Sequence, residues 1–388
     1  QLLTEIARMG QGPANALKVR LGISQSTVPR LIAAAGDQVC RLGTGRATRY
    51  ALTRSLSSLG TRLPIYRVDD LGKIHEYGVL HLLVDGHHWL EREDLPGVFF
   101  DGLPPFAADM SPQGYMGRSF TTRYPELDVP RRIADWNDDH RLIALARRGE
   151  DCTGNLIIGD QSLNHFLAQS PLPAHPSDYP ELARSSMSGQ PGSSPGGEQP
   201  KFATYVDGHH VLVKFSGDDE SAAARRWRDL LVCESLALEA VRAAGVPAAA
   251  ARALYVAGRR FLEVERFDRI GARGRRALLS LGAIDDEYFG HRDNWTKAAQ
   301  RLLAEQLIAP EHARHMRWLD AFGQLIGNSD RHFGNLSFFV EDDGRFRLAP
   351  RLCPAPRREW SLWKTPRRGR RPRAQRRRAR VSSLRTVS

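Results

Sequence analysis

Apolar positions in the first part of the chain keep helical spacing and then switch to alternation. Leu2, Leu3, Ile6 and Ala7 share one helical face, and residues 14–21 form a second helical run. Gly22 turns the chain, and Ser24 is placed to cap a third helix over residues 25–34. Residues 39–42 and 46–52 read as two strands around Gly43-Thr44-Gly45. The pattern predicts a winged helix-turn-helix over residues 1–54. In such a module the third helix presents its first polar side chains to base edges, here Gln25, Ser26, Thr27 and Arg30. Arg41, Arg46 and Arg49 on the wing would meet phosphates. A helical module used for packing or dimerisation has the same apolar pattern. The agreement of helix spacing and wing favours DNA.

From residue 60 the period is mostly two. Residues 63–68 and 78–84 alternate as strands, with turns at Asp69-Asp70-Leu71-Gly72 and Asp85-Gly86. This predicts a small β-rich domain over residues 60–166. The adjacent pairs His87-His88 and His209-His210 diverge on a strand, so they read as turn residues rather than metal ligands. Residues 167–192 are rich in Pro and Ser and read as a linker. Two strands then flank Asp207-Gly208, helices follow at 225–244, 293–307 and 311–326, and a strand closes the run at 336–340.

Composition narrows the class. With 388 residues, 41% apolar and 26% charged, the chain can build two or three cores. No apolar run reaches the roughly 18 residues of a membrane helix, so no membrane partner is expected. The first residue is Gln1 rather than Met, so a few initial residues are expected to be missing. Cys40, Cys152, Cys233 and Cys353 are scattered without CxxC spacing, which points to the cytoplasm and away from zinc. The net charge of +12 is misleading, because residues 351–388 hold 13 Arg, one Lys and one Glu. The remainder is close to neutral, so overall basicity says little about nucleic acid.

The candidate chemistry lies in Gly327-Asn328-Ser329-Asp330-Arg331-His332-Phe333-Gly334-Asn335, between a helical and a strand-like run. An acid with an amide five residues later suits phosphoryl transfer. The acid deprotonates a hydroxyl, and the amide holds magnesium on the phosphates. A polar helix-to-strand turn would use the same residue types. Upstream, Lys214 sits in the apolar strand Val211-Leu212-Val213-Lys214-Phe215, where an ammonium wants a partner charge or an anion. The following helix offers Glu234, on one face with Leu230, Leu231, Ala237 and Leu238. The Gly-rich run Ser193 to Lys201 precedes these strands, and no GKS or GKT is present.

In this order, and with the run Glu265-Arg266-Phe267-Asp268-Arg269, residues 60–350 resemble the HipA family of serine/threonine kinase toxins of bacterial toxin–antitoxin systems. The fused N-terminal module resembles the YjjJ-like branch. The resemblance implies ATP and Mg2+ as cofactors and a protein substrate with a target serine, such as an aminoacyl-tRNA synthetase or translation factor. It implies Asp330 as catalytic base, Asn335 as magnesium ligand, and His332 in the nucleotide site. Lys214 would contact phosphates, covered by Gly196, Gly197, Glu198, Gln199, Pro200 and Lys201. Glu263, Val264 and Glu265 would form the adenine hinge, and Ser194 would be the autophosphorylated loop serine. An operator bound through residues 1–54 and a homodimer are further expectations.

The resemblance breaks after Leu348-Ala349-Pro350. Where the family has a Tyr-Asp pair whose Asp is the second magnesium ligand, this chain has Leu352-Cys353, and a thiol suits magnesium poorly. Residues 351–388 then lose apolar periodicity and cannot bury enough surface to fold. They are either a basic arm or a frameshifted end, and the abrupt change inside a motif favours the frameshift. Asp342 and Asp343 lie in a turn and are poor substitutes. The expected fold is α+β: a winged helix-turn-helix, a small β-rich domain, and a protein-kinase-like core over 193–350 with a truncated helical C-lobe. Phosphotransfer is expected to be impaired. The alternative is a DNA-binding transcriptional autoregulator with an inactive kinase domain.

Overall fold

The computed structural model describes residues 1–93, 95–187 and 199–351. Ser194, Gly196, Gly197, Glu198, Cys353 and the Arg-rich segment lie outside the described residues, as does the side chain of Arg46. Among the described residues no helix is long and apolar enough to cross a membrane.

Residues 1–54 build three helices, Leu2–Met9, Ala14–Leu21 and Thr27–Ala35, around Leu2, Ile6, Leu17 and Val28. An antiparallel sheet in the order Gln11–Pro13, Arg49–Leu52, Val39–Leu42 backs them. The third helix starts at Thr27 rather than Gln25, and Ser24 does not cap it. The Ser24 hydroxyl instead bonds the hydroxyls of Ser26 and Thr27, at 2.9 and 2.8 Å. Residues 45–47 form a short 3-10 turn closed by Thr48 Oγ1 donating to Gly45 O at 2.8 Å, so the second strand begins at Arg49. Cys40, Leu42 and Ala51 then pack against Leu83 of the next domain.

The middle domain carries a five-stranded antiparallel sheet. Its order is Val98–Phe100, His88–Glu91, Ile74–Leu82, Arg62–Val68, Leu156–Ile158. Leu63, Ile65, Leu80, Leu82 and Leu90 alternate onto one face and bury Leu142, Leu145 and Ala107 of the helices Asp138–Arg148 and Pro105–Met110.

The stretch expected as a linker is in part a folded element. A helix, Tyr179–Met187, follows a turn at Pro176–Asp178. Tyr179 is fully buried against Phe202, Phe215 and Phe261, and its hydroxyl donates to Glu263 Oε2 at 2.5 Å. One aromatic of this size buries 150–250 Å², enough to hold a short helix whose local composition reads as linker.

The C-terminal core begins with a four-stranded antiparallel sheet in the order Ala251–Val256, Arg259–Glu265, His209–Phe215, Lys201–Val206. Its two faces differ. Val213, Phe215 and Phe261 pack on Tyr179, whereas Leu262 and Val264 pack on Leu231 of the helix Ala222–Ala243. The second half gathers three helices, Leu281–Tyr288, Trp295–Ala304 and Pro310–Leu325. They surround Trp295, Met316 and Phe338 and close on a sheet of Leu278–Ser280, Ser337–Val340 and Phe346–Leu348.

Candidate active site

Lys214 follows the apolar alternation of its strand and lies on the face that packs the Ala222–Ala243 helix, 6% exposed. Glu234 of that helix is 1% exposed and accepts from the Lys214 ammonium. A buried lysine is costly unless paired, and this pair meets that need. Lys201 sits directly opposite Lys214 across the neighbouring strands. Like charges in that position repel unless an anion lies between or beyond them. The preceding residues continue this edge, with Pro200 O accepting from Phe215 N at 3.2 Å.

Val264 is not available as an isolated connector. Residues 263–265 lie inside the central strand, with Val211, Leu212 and Val213 on one side and Ala251 and Arg252 on the other. The Glu265 N–H donates to Ala250 O at 2.9 Å and the Arg266 N–H to His210 O at 2.8 Å. Glu263 points to the Tyr179 face, where it also meets Arg252 at 3.0 Å, and so lies on the side opposite Lys214. Glu265 reaches His209 at 3.5 Å. Phe267, two residues beyond this strand, lines a small cleft.

That cleft, about 50 Å³, runs between Phe267 and the loop residues Gly334 and Asn335, with Ser337 and Ala349 behind. The loop closes on itself. The Asp330 N–H donates to Asn328 Oδ1 at 2.9 Å, and Asn335 Nδ2 donates to Asp330 O at 2.5 Å. With its nitrogen engaged, Asn335 has its amide oxygen left for a cation, the donor type that magnesium prefers. The Asp330 carboxylate is partly exposed at the loop tip, 3.7 Å from His332 Nε2. His332 Nδ1 accepts from the Gly334 N–H at 3.1 Å, and its carbonyl accepts from Trp295 Nε1 at 3.3 Å.

Two further arginines support this loop through contacts that no residue spacing announces. Arg351, 3% exposed, donates to Asn335 O and lies over the Trp295 ring at 4.7 Å. Arg331 donates to Asn328 O at 2.7 Å and faces Asp320 at 3.3 Å. Behind the cleft, Arg266, Asp268 and Arg269 form a buried lattice with Asp151, Cys152 and Gly154 of the middle domain. Burial alone would raise the Asp268 carboxyl, but the Arg266 and Arg269 guanidiniums outweigh it and hold it down to about 2.

Among the described residues no group of His, Cys, Asp and Glu could hold a metal by itself. The donor set therefore fits a cation carried on phosphates better than a protein-only cage. The arrangement offers a buried Lys214–Glu234 pair beside the half-buried Lys201, a partly exposed carboxylate at Asp330, and an amide oxygen at Asn335.

The described YjjJ-like toxin middle domain matches residues 59–167, and the HipA-like C-terminal domain matches residues 193–352. Toxin YjjJ of Escherichia coli (strain K12) is 37% identical over 361 residues, spanning 90% of this chain and 81% of that protein. Among solved structures, a chain of the Shewanella oneidensis MR-1 HipA, HipB and operator DNA complex aligns with a TM-score of 0.51 at 18% identity, covering 76% of each chain. At that identity the likeness is one of fold.

Proposed function

The chain belongs to the YjjJ-like toxin family and carries a HipA-like C-terminal domain, and on that premise we propose that it is an ATP-dependent serine/threonine protein kinase of toxin type, acting in the cytoplasm. The observation that carries the reading is the buried Lys214–Glu234 pair, opposite Lys201, in a chain whose Asp330 and Asn335 share one closed loop. A strand lysine tied to a helix glutamate, with an acid and an amide on a later loop, is the working set of phosphoryl transfer.

Magnesium-ATP would supply the γ-phosphoryl group and neutralise charge on it. Lys214 and Lys201 would bind the nucleotide phosphates, and Glu234 would hold the Lys214 ammonium in place. Asn335 would offer its amide oxygen to the metal. Asp330 would orient a serine hydroxyl and accept its proton. Cys353, in place of a second oxygen ligand, does not fit this set, so transfer by this polypeptide is proposed to be weak. Phosphate placed on Ser194 would add about −1.5 to −2 charge beside the nucleotide phosphates and oppose further binding.

Incubation of the full chain with Mg-ATP followed by mass spectrometry tests the reading. Phosphate on Ser194, absent in Asp330→Asn, is expected at low stoichiometry. Phosphate that persists in Asp330→Asn would overturn the role of Asp330. Rapid, complete transfer would overturn the proposed impairment. If no phosphate appears even after Cys353→Asp is combined with a family-like C-terminal lobe, the kinase reading fails.

A second reading rests on residues 1–54, where Gln25, Ser26 and Arg30 are exposed at the start of the Thr27–Ala35 helix. Arg41 and Arg49 are exposed on the sheet beside it. These features support a DNA-binding autoregulator, and the Shewanella relative was solved with operator DNA in its complex. The two functions are separable by residue, since neither set touches the other.

A further inference from the structure

An open groove of about 620 Å³ adjoins the catalytic loop, between the helices Trp295–Ala304 and Pro310–Leu325. Its floor is fixed. Arg331 donates to Asn328 O at 2.7 Å, and its Nε lies 3.3 Å from Asp320 Oδ1 without a well-aligned hydrogen bond. Asp320 Oδ2 accepts from the Thr296 hydroxyl at 2.8 Å. Gly323 lies so close beneath Arg331 that a Cβ there would meet Arg331 Cδ at 2.6 Å. The Asp320 charge is thus taken up inside the floor, and Arg331 is pinned in one direction.

The rim is different. Lys297, Gln300 and Gln324 line the groove and are exposed. Among the described residues no carboxylate comes within ion-pair distance of Lys297. Asp285 and Asp293 are engaged by Arg301, and Asp320 by Arg331 and Thr296. The groove therefore presents one unbalanced cation, Lys297, above the paired Arg331 and Asp320, flanked by two side-chain amides. Amides can both donate to and accept from an extended peptide backbone. A cation above them selects an acidic side chain. The Arg-rich end of this chain has the wrong sign for such a site.

Arg331 follows Asp330 directly, and neighbouring Cα atoms are only about 3.8 Å apart. A peptide side chain over Arg331 is therefore within a few residues of a hydroxyl at Asp330. Resting on the kinase reading above, we propose that this groove holds the protein substrate beside its acceptor serine and selects an acidic residue there through Lys297.

Short fluorescein-labelled peptides with a central serine test this, flanked either by Asp and Glu or by Lys and Arg. Their binding to the full chain is read by fluorescence anisotropy with a non-hydrolysable ATP analogue present. The acidic peptide is expected to bind roughly tenfold more tightly, the size of one charge-assisted hydrogen bond. Lys297→Glu should reverse that order. Lys297 is exposed, so its reversal should leave the melting temperature unchanged. Arg132→Glu, an exposed reversal in the middle domain, controls for net charge and should leave the order intact. Equal affinities, or an order that Lys297→Glu and Arg132→Glu shift alike, would overturn the proposal. Phosphate transfer to the same peptides from Mg-ATP is read separately. Selective binding keeps the groove whether or not transfer is seen, and the kinase reading falls only if transfer stays absent in Cys353→Asp as well. Transfer without selectivity removes the groove and keeps the kinase reading.

Discussion

The Asp268 carboxylate accepts a hydrogen bond from the Arg269 guanidinium at 2.6 Å, with both side chains almost wholly buried. The same carboxylate accepts from the Gly154 N–H at 3.2 Å, and Arg269 donates to Gly154 O and Cys152 O at 3.0 and 2.6 Å. These bonds join the middle domain to the segment that leaves the central strand of the C-terminal core. Removing one member of a buried ion pair strands the other charge and costs about 3–5 kcal/mol. Asp268→Ala is expected to lower stability by that order, read as the urea midpoint of the full chain. A loss below about 1 kcal/mol would mean the lattice is not what holds the domains together.

The pH dependence of that contribution has a defined sign. Asp268 is held down to about 2 in the folded chain, against about 3.9 unfolded. A depressed carboxyl supports the fold fully above its unfolded value. Its contribution, on the order of 2 kcal/mol, is lost as pH falls from about 4 towards 2. The stability gap between wild type and Asp268→Asn should therefore be constant from pH 7 to about pH 5 and should narrow below pH 4. A gap that widened on acidification would contradict the assignment.

Lys214 and Glu234 make a prediction about binding that does not need turnover. Lys214→Gln removes the buried cation, so Mg-ATP should raise the melting temperature of wild type but not of the variant. Ligand stabilisation scales with occupancy, amounting to about 2.7 kcal/mol at 100 times the dissociation constant. Phosphotransfer, where measurable, should fall by about 100-fold or more, the usual scale for one electrostatic contact to the reacting charge. An unchanged thermal shift in Lys214→Gln would place the nucleotide elsewhere.

What was legible follows the range of the interactions. Glu234 stood out because Leu230, Leu231, Ala237 and Leu238 surround it at helical spacing, and in the structure Leu231, Ala237 and Leu238 are buried with it. Lys214 stood out because an apolar strand leaves a charge nowhere else to go. The helix Tyr179–Met187 did not stand out, because what holds it is Glu263, 84 residues away. The exact helix start at Thr27 was shifted by a local competition, in which the Ser24 hydroxyl bonds two other hydroxyls instead of a backbone N–H. The Asp268 lattice, the Arg351 contact to Asn335 and the floor beneath Arg331 all join residues that only the tertiary fold brings together.

The N-terminal module yields a prediction independent of all phosphate chemistry. Arg30 is exposed three residues into the Thr27–Ala35 helix, where a recognition helix would meet base edges. If it does so, Arg30→Ala should weaken binding to a duplex spanning the promoter of the chain's own gene by about 1–3 kcal/mol and relax sequence preference at one position. If Arg30 meets only a phosphate, the loss should be uniform across sequences, and the slope of log affinity against log salt should fall by about one. Gel-shift titrations at several salt concentrations, with the promoter duplex and a scrambled one, separate these outcomes. Asp330→Asn should titrate like wild type in the same assay. No difference between Arg30→Ala and wild type on either duplex would remove the Thr27–Ala35 helix from the DNA-binding reading and leave residues 1–54 as a packing module.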